Sequence, residues 1–283
     1  MPELPEVETI RQVLIGKRAG EPSLLGQTII GSSLFWSRTL ATPSPDVFKS
    51  FVKGRTIVDV NRRGKFLIFI LDEGYLIVHL RMSGDLRKAS NLGSPRTVEP
   101  VLPHDRAYLH FATGWGLAFN DPRKFGRLWL TPDPQQVLKH LGIEPTDPQL
   151  TPEEFHQMLH TARRQLKPLL LDQSFLAGIG NIYSDEALFQ ARLHPRRTSD
   201  TLSETDSAEL LIAIRHVLEL GIQHNGASID WVYRGGAFQN YFQVYQQTGN
   251  PCPNCGTPIE RIVISQRGTH ICPHCQTLQP EKN

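Results

Sequence analysis

The feature that most constrains this chain is a set of four cysteines close to its C-terminal end. They form two CxxC pairs, Cys252–Cys255 and Cys272–Cys275, separated by sixteen residues. This spacing is typical of a tetrahedral zinc site, in which each CxxC turn supplies two thiolates. We expect one structural zinc ion in a ribbon whose strands are Ile259–Ser265 and Thr269–Ile271. Because four cysteines fill the coordination sphere, zinc is not expected to take part in catalysis.

Two kinds of residue in this module allow more than one interpretation. His270 or His274 could replace a cysteine as a ligand, but His274 lies inside a CxxC turn and is expected to be a bystander. Arg267 lies between the two predicted strands, where we expect the turn. It is either an ordinary solvated turn residue or a clamp for a phosphate group.

Length and composition exclude several classes of protein. A chain of 283 residues has room for about two domains. It contains no apolar run long enough to span a membrane. Its N-terminus carries Glu3, Glu6 and Glu8 where a signal peptide has a basic and then an apolar stretch. Paired cysteines without a secretory signal indicate a reducing compartment, so we expect a protein that is not secreted. The net charge of +2 permits a nucleic-acid partner without indicating one.

The first half of the chain is rich in strands. A helix near the N-terminus comes first, because Val7, Ile10 and Leu14 recur at helical spacing and Pro5 suits a first turn. β-branched and aromatic runs follow, separated by short glycine-containing breaks. These runs are Arg55–Asn61, Lys65–Leu71, Tyr75–Leu80, Ala107–Ala112, Gly116–Asn120 and Arg127–Leu130. The pattern predicts an antiparallel β-sandwich with a leading helix over residues 1–131.

The second half of the chain is predicted to be helical. A proline-rich stretch, Thr131–Pro152, indicates a linker over residues 132–150, and polar Asn225–Asn240 is expected to be a mobile loop. We expect a helical domain over residues 151–247 and the zinc ribbon over residues 248–283, which makes an α+β multidomain protein. The predicted helices are Pro152–Thr161, Leu166–Leu171, Ile182–Gln190 and Glu204–His224.

Five segments spread over the chain carry a resemblance to a known family. They are Met1–Glu8 (MPELPEVE), Arg62–Lys65 (RRGK), His79–Gly84 (HLRMSG), Asp121–Gly126 (DPRKFG) and Gly178–Tyr183 (GIGNIY). Together with the cysteine module, they resemble the formamidopyrimidine-DNA glycosylase family. The resemblance implies a sandwich, a helix–two-turn–helix element and a zinc ribbon. It also implies a DNA glycosylase and abasic-site lyase that acts on oxidised purines in double-stranded DNA. We expect a cytoplasmic, nucleoid-associated monomer without a membrane partner.

The residue after the initiator methionine is suited to nucleophilic catalysis. Proline in this position normally becomes the mature N-terminus, so we expect Met1 to be absent from the active enzyme. An α-amine has a pKa of about 8 against about 10.4 for lysine, so at pH 7 roughly ten per cent is neutral. Lysine has only a few hundredths of a per cent neutral, roughly a few hundredfold less. By resemblance, Pro2 attacks the sugar's anomeric carbon, and the resulting iminium drives β,δ-elimination of both flanking phosphates.

The resemblance assigns proton-donor or acid–base roles to Glu3, Lys65 and Arg267. Glu3 handles protons at the sugar ring, which is work for a carboxyl group with a tuned pKa. Lys65 is placed on the phosphates that flank the lesion. Glu6, one helical turn beyond Glu3, either positions the extruded nucleotide or holds the start of the helix.

Other residues match the family's DNA contacts. A stacked base must be extruded before it is attacked, and side chains inserted into the gap offset part of the unstacking energy. Met82, Arg123 and Phe125 match the three gap-filling residues, and Arg123 pairs with the cytosine left behind. The remaining matches are backbone-phosphate contacts, namely Asn181, Arg267, His79 and Lys167.

One departure and two alternatives remain at this point. The Ser228–Phe242 segment, which in relatives caps the extruded base, does not follow the bacterial pattern, so base selectivity is the least determined property. An endonuclease VIII-like glycosylase for oxidised pyrimidines is an alternative, although its opening usually has glycine where Leu4 stands. The second alternative is a non-catalytic zinc-ribbon protein that binds damaged DNA.

Overall fold

The structure, a computed structural model, describes residues 1–17, 23–89, 102–228 and 235–278. The chain divides into two compact units, one consisting chiefly of Met1–Lys139 and the other of His140–Ala227 and Gly236–Asn283. The division falls inside the predicted linker, which itself contains a short helix, α3 (Gln135–Leu138). The described part of each unit has its own secondary structure.

The first unit is a β-sandwich. Its described strands are β1 (Ile29–Leu34), β2 (Leu40–Thr42), β3 (Ile57–Arg63), β4 (Phe66–Leu71), β5 (Tyr75–His79), β6 (Asp85–Ala89), β7 (Asp105–Phe111), β8 (Gly116–Asn120) and β9 (Arg127–Thr131). One sheet has the order β1-β7-β8-β6 and the other the order β2-β9-β5-β4-β3. The predicted sandwich is confirmed, with one exception to its antiparallel pairing, since β2 runs parallel to β9.

The core of this unit lies between the two sheets. Alternate residues of the strands point inward, such as Val60 on β3 and Leu109 on β7. Two helices, α1 (Leu4–Leu14) and α2 (Pro45–Val52), add apolar side chains to the same core, among them Val7 and Phe48. The predicted leading helix is α1, which packs against β3 and β4.

The second unit is built round a buried helix. The α-helices in its described part are α4 (Pro152–Ala162), α5 (Leu166–Leu171), α6 (Asn181–Gln190) and α7 (Glu204–Gln223), all close to the predicted positions. The central helix is α6, in which every residue from Ile182 to Phe189 is buried. It packs against α5, α7 and the zinc hairpin. A helix buried on all sides is normally apolar, so charged residues within it need partners.

The hairpin of the second unit consists of β10 (Glu260–Ile264) and β11 (Arg267–Ile271), paired antiparallel. The predicted mobile loop and the predicted lesion-capping segment both include residues 229–234, which lie outside the described residues. After that gap, the described part contains a 3₁₀ turn, Phe238–Tyr241, whose Phe238 ring stacks on Tyr183 of α6 at 5.1 Å.

Candidate active site and DNA interface

The segment predicted to carry the nucleophile is buried at the start of α1. Pro2 and Glu3 are buried, whereas Met1 before them is 48% exposed. Glu3 is the N-cap of α1 and forms a capping box with Glu6, whose carboxylate accepts the Glu3 backbone N–H at 2.7 Å. Glu6 therefore holds the helix start, the structural one of its two possible roles. The capping box fixes the backbone directly beside Pro2.

A partly buried ion-pair network ties α1 to β3, the strand that leads to Lys65. The Glu8 carboxylate accepts hydrogen bonds from Arg11 at 2.9 Å and from Arg62 at 3.2 Å. Burial raises the pKa of Glu8, but hydrogen bonds from Arg11 and Gln12 and the two positive charges outweigh it, so the pKa is lowered overall. Lys65 lies in the turn between β3 and β4 and is only 4% exposed.

The turn after β5 is held by one side-chain and one backbone hydrogen bond. The His79 ring accepts the Arg81 backbone N–H on Nδ1 at 2.9 Å, which places the proton of the neutral ring on Nε2. The edge of this ring packs against Phe66, with centroids 4.4 Å apart. The Gly84 N–H donates to the Leu80 carbonyl at 2.9 Å, and a Cβ on Gly84 would lie 2.4 Å from that same oxygen. Only glycine therefore fits at this position.

The three side chains predicted to fill the DNA gap are exposed on two turns of the first unit. Met82 is 38% exposed and Phe125 is 49% exposed. Each follows a non-glycine residue in the left-handed region, Arg81 at φ 55° and Lys124 at φ 62°. Such a residue costs about 1 kcal/mol or more, so surrounding contacts must hold each turn. Arg123 is also exposed, and its guanidinium lies 5.2 Å from the centroid of the Phe125 ring.

The four cysteines of the second unit are arranged as a site for one zinc ion. Their sulfur atoms all lie within 4.8 Å of one another. The Sγ–Sγ distance is 3.8 Å for Cys252 and Cys275 and 3.5 Å for Cys255 and Cys272. A tetrahedral ion with Zn–S bonds of about 2.3 Å requires sulfur atoms about 3.8 Å apart, so the donor set and its spacing both fit zinc. All four ligands are protein thiolates, and the role of the ion is therefore structural.

The N-terminus of α6 is joined directly to the zinc hairpin. The Asn181 amide donates to the Gly268 carbonyl at 3.0 Å. Arg267, the preceding residue, is exposed and is the first residue of β11. The prediction that Arg267 lies in the turn is therefore wrong, because the turn consists of Ser265 and Gln266, both left-handed at φ 47° and 63°. The structure thus brings together the two predicted phosphate contacts, Asn181 and Arg267.

Lys167 has a different environment from the predicted one. Its side chain is fully buried, and its ammonium donates to Asp185 at 2.5 Å and to the Asn181 carbonyl at 3.0 Å. In this ion pair the ammonium has no exposed surface, so the geometry does not support a direct phosphate contact, which stays a prediction. The other Asp185 oxygen accepts the backbone N–H of His270 at 3.0 Å and lies 3.2 Å from the ring Nδ1. Asp185 therefore connects α5, α6 and β11.

The neighbouring acid, Glu186, anchors the chain just before the zinc module. Its carboxylate accepts three consecutive backbone N–H groups, those of Gln243, Val244 and Tyr245, at 2.8–3.1 Å. Burial raises the pKa of Glu186, and the three hydrogen bonds oppose that rise. The sequence carries no local signal of a role for Asp185 or Glu186, because nothing near them shows that their helix is buried on all sides.

Comparisons with known proteins agree along the whole chain. Sequence models of the formamidopyrimidine-DNA glycosylase N-terminal domain and H2TH domain match residues 1–128 and 141–232. The model of a zinc finger found in FPG and IleRS matches residues 249–278. The formamidopyrimidine-DNA glycosylase of Protochlamydia amoebophila is 42% identical, over 98% of this chain and 99% of that protein. The chain belongs to the formamidopyrimidine-DNA glycosylase family.

Solved structures of formamidopyrimidine-DNA glycosylases have the same fold. One is MutM in complex with DNA containing carbocyclic 8-oxo-G, at a TM-score of 0.86 and 38% identity, covering 98% of this chain and 100% of that one. Another is Lactococcus lactis Fpg with DNA containing an abasic site, at a TM-score of 0.86 and 38% identity, covering 97% of this chain and 99% of that one.

Membership of the formamidopyrimidine-DNA glycosylase family confirms the predicted fold class, the DNA glycosylase and abasic-site lyase class of enzyme and the single structural zinc ion. It leaves the roles of individual residues as predictions. Among the helices of the described residues, none combines the length and the hydrophobicity that crossing a membrane requires.

The buried Lys167–Asp185 ion pair of this glycosylase predicts a large loss of stability when its negative charge is removed. Asp185→Asn removes the negative charge that pairs with the fully buried Lys167 ammonium. We expect the free energy of unfolding to fall by about 3–5 kcal/mol, measured by urea denaturation of the zinc-loaded protein.

The matched control is Asp172→Asn, which removes the carboxylate of a surface pair with Arg164 whose side chains are 31% and 47% exposed. That pair is expected to contribute less than about 1 kcal/mol. The double variant Lys167→Met with Asp185→Asn should recover part of the loss, because it removes both charges. Equal losses for the two single variants would contradict the buried-pair interpretation.

Proposed function

We propose that this glycosylase removes oxidised purines, 8-oxoguanine and formamidopyrimidines, from double-stranded DNA and then cuts the strand at the resulting abasic site. The relatives support this substrate class, since MutM was solved with an 8-oxo-G analogue in DNA and Lactococcus lactis Fpg with abasic DNA. The observation that carries the proposal is the N-terminal arrangement. Pro2 and Glu3 are buried side by side, and a capping box holds them at the start of α1.

The proposed reaction begins at Pro2 after Met1 has been removed. The lone pair of the Pro2 nitrogen forms a bond to the anomeric carbon, and the glycosidic C–N bond breaks with its electrons going to the base, which takes up a proton. The sugar ring opens as its oxygen accepts a proton, for which we propose Glu3 as the donor. The Pro2 nitrogen loses its own proton as the ring opens, and the product is an iminium between Pro2 and the sugar carbon. The attack requires an amine that is not protonated.

Strand cleavage follows from the same intermediate. The iminium withdraws electrons, so a proton is lost from the neighbouring sugar carbon and the 3′ phosphate leaves. A second proton loss expels the 5′ phosphate, and water then hydrolyses the iminium to regenerate the free amine. We propose that Lys65 stabilises the charge of these phosphates. A guanidinium group donates hydrogen bonds and accepts none, so we propose a phosphate contact for Arg267 rather than proton transfer.

Duplex opening is assigned to the exposed turns of the first unit. We propose that Met82 and Phe125 enter the space left by the extruded nucleotide and that Arg123 pairs with the cytosine opposite. Two observations support this: Met82 and Phe125 are large apolar side chains exposed to solvent, and each directly follows a residue held in a strained left-handed conformation. Asn181, His79 and Arg267 are proposed as backbone-phosphate contacts.

The proposed division of labour follows the predicted domains. We propose that residues 1–131 perform the chemistry and that residues 132–150 form the linker to the second domain. Residues 151–247 would bind DNA and cap the lesion. Residues 248–283 would form the zinc ribbon, which clamps the DNA. The separation of the two compact units between Lys139 and His140 supports this division. We propose that the enzyme acts as a monomer on nucleoid DNA in the cytoplasm.

Borohydride trapping tests this proposal. The enzyme is mixed with a duplex containing 8-oxoguanine opposite cytosine, reduced with borohydride and digested, and the adduct is located by mass spectrometry. We expect a stable sugar adduct on Pro2 in protein that lacks Met1. An undamaged duplex should give no adduct, and a duplex with an abasic site should give the same one. Absence of the adduct from both damaged duplexes, despite binding, would refute the N-terminal amine mechanism.

A further inference from the structure

A buried carboxylate lies behind the two exposed turns of the first unit. Asp121 follows β8 directly and has no solvent exposure. Its Oδ1 accepts the hydroxyl of Ser83 and the backbone N–H of Arg123, the latter at 3.2 Å. Its Oδ2 accepts the backbone N–H of Gly126 at 2.7 Å. One side chain thus holds both ends of the loop that presents Arg123 and Phe125.

The same carboxylate also connects that loop to the turn carrying Met82. Ser83, the next residue after Met82, donates its hydroxyl hydrogen to Asp121 and accepts the Arg123 N–H at 3.1 Å. Ser83 is 4% exposed, so these hydrogen bonds are shielded from water. Two turns that are 38 residues apart in the sequence therefore share one hydrogen-bonded centre.

We infer that Asp121 is a positioning residue that locks Met82, Arg123 and Phe125 into one rigid wedge before DNA is bound. This inference rests on the proposed gap-filling role of those three side chains. The physical basis is preorganisation: each turn is held in a strained left-handed conformation at Arg81 or Lys124. A wedge that is already ordered loses no further conformational entropy when it enters the base stack.

The chemistry of the centre requires a carboxylate. The groups that hydrogen-bond to the Asp121 side chain are all donors: one hydroxyl and two backbone N–H groups. In Asp121→Asn only one of the two side-chain positions is still an oxygen that accepts hydrogen bonds. The other position becomes an NH₂ group, which faces a hydrogen-bond donor. The backbone stays anchored, because Arg106 donates to the Asp121 carbonyl at 2.7 Å independently of the side chain. The substitution therefore loosens the wedge and leaves the strand path in place.

The experiment measures duplex opening separately from chemistry. Stopped-flow fluorescence follows 2-aminopurine placed beside an uncleavable abasic analogue in a duplex, which brightens when the stack opens. We expect Asp121→Asn to slow opening by about tenfold or more, as for the loss of a charge-assisted hydrogen bond. Strand cleavage of a duplex 8-oxoguanine substrate should fall with it. Elimination on a single-stranded abasic oligonucleotide, which needs no wedge, should fall far less.

The matched control is Asp105→Asn. Asp105 is 2% exposed and accepts hydrogen bonds from Arg87, Leu102 and Asn120, so it is also a buried carboxylate of this sandwich. None of these donors belongs to the turns that carry the wedge. We expect Asp105→Asn to lower the melting temperature and to leave the opening rate close to that of the wild type.

A double-mutant cycle with Ser83→Ala adds a readout that a purely structural role would not move. Because Ser83 and Asp121 share a hydrogen bond, the two substitutions together should slow opening little more than Asp121→Asn alone. The inference is overturned if Asp121→Asn opens the duplex at the wild-type rate. It is also overturned if Asp121→Asn and Asp105→Asn slow opening and single-strand elimination equally, or if the wild type does not open the duplex. A wild type that opens the duplex but forms no borohydride adduct would refute the proposed chemistry and leave the wedge inference standing.

Discussion

A variant with one residue inserted before Pro2 is expected to lose both base release and strand cleavage, each by at least about a thousandfold. In that variant the Pro2 nitrogen becomes a tertiary amide, whose lone pair is delocalised into the carbonyl and cannot attack carbon. Both losses have one cause, since the same nitrogen displaces the base and forms the iminium that drives elimination. Single-turnover assays that quantify released base and cut strand separately measure the two losses.

DNA binding is expected to survive the insertion. The structure already accommodates Met1, 48% exposed, in front of a buried Pro2, so a further residue projects into solvent. Affinity for a duplex with an uncleavable abasic analogue should stay within about threefold of the wild type, as for a surface change.

The matched variant is Pro2→Gly, which keeps a terminal amine with a pKa of about 8. It should still form a borohydride adduct and cut the strand faster than the extended protein. Wild-type turnover by the extended protein would contradict the mechanism. An equal loss in Pro2→Gly would show instead that the proline ring, rather than the amine, is required.

Local patterns in the sequence were sufficient for much of this fold. Strands buried on one or both faces, such as β4 and β5, are continuous runs of apolar and aromatic residues, and both were predicted within a residue or two. The strands that were not predicted are short or lie at sheet edges. Strand β6 reads Asp-Leu-Arg-Lys-Ala and is an edge strand, where charged residues prevent pairing with other chains and hide the strand pattern.

The zinc ribbon shows what spacing alone can determine. The cysteine spacing predicted the four ligands, but not the register of the hairpin between them. Arg267 was expected in the turn because it lies between the two predicted strands, whereas the chain turns at Ser265 and Gln266, neither of which is a typical residue for a left-handed position. The tertiary anchor from Asn181 to Gly268 lies 87 residues away in the sequence and left no local signal.

The buried acids were missed for the same reason. Lys167 was predicted to contact DNA because it matches a backbone-phosphate position of the family, and the match does not show that the side chain is buried. Its partner, Asp185, is 18 residues further on and becomes visible only when α5 and α6 are packed. Asp121 likewise lay inside a recognised motif, yet its link to Ser83 depends on how the loop after β8 approaches the turn after β5. The residues proposed to touch DNA were inferred from motifs, whereas the buried residues that hold their turns in place were not.

Replacing Cys252 by serine is expected to release zinc and to lower DNA affinity by roughly a hundredfold at moderate salt. A two-stranded hairpin is only marginally stable by itself, so the register of β10 and β11 depends on the ion. Loss of that register moves Arg267 and breaks the hydrogen bond between Gly268 and Asn181. The variant should then bind fewer DNA phosphates, because Asn181 and Arg267 are both proposed phosphate contacts and both lie where α6 meets the hairpin.

Salt dependence of binding distinguishes weaker phosphate binding from a general loss of structure. The slope of log affinity against log salt should become shallower by about 1 for each phosphate that the protein no longer neutralises. Arg267→Ala keeps zinc and should neutralise about one phosphate fewer, so Cys252→Ser should change the slope at least as much. His274→Ala is the matched control within the module, because His274 is exposed and the four cysteines already complete the site.

His274→Ala should therefore retain one zinc per chain and bind DNA like the wild type. Single-strand elimination should also be largely preserved in Cys252→Ser, since the proposed nucleophile belongs to the first unit, which has its own core. If Cys252→Ser lacks zinc and still binds DNA with wild-type affinity and slope, the ribbon is not a DNA clamp. Arg267 would then be an ordinary solvated residue, the first of the two interpretations that its sequence position allowed.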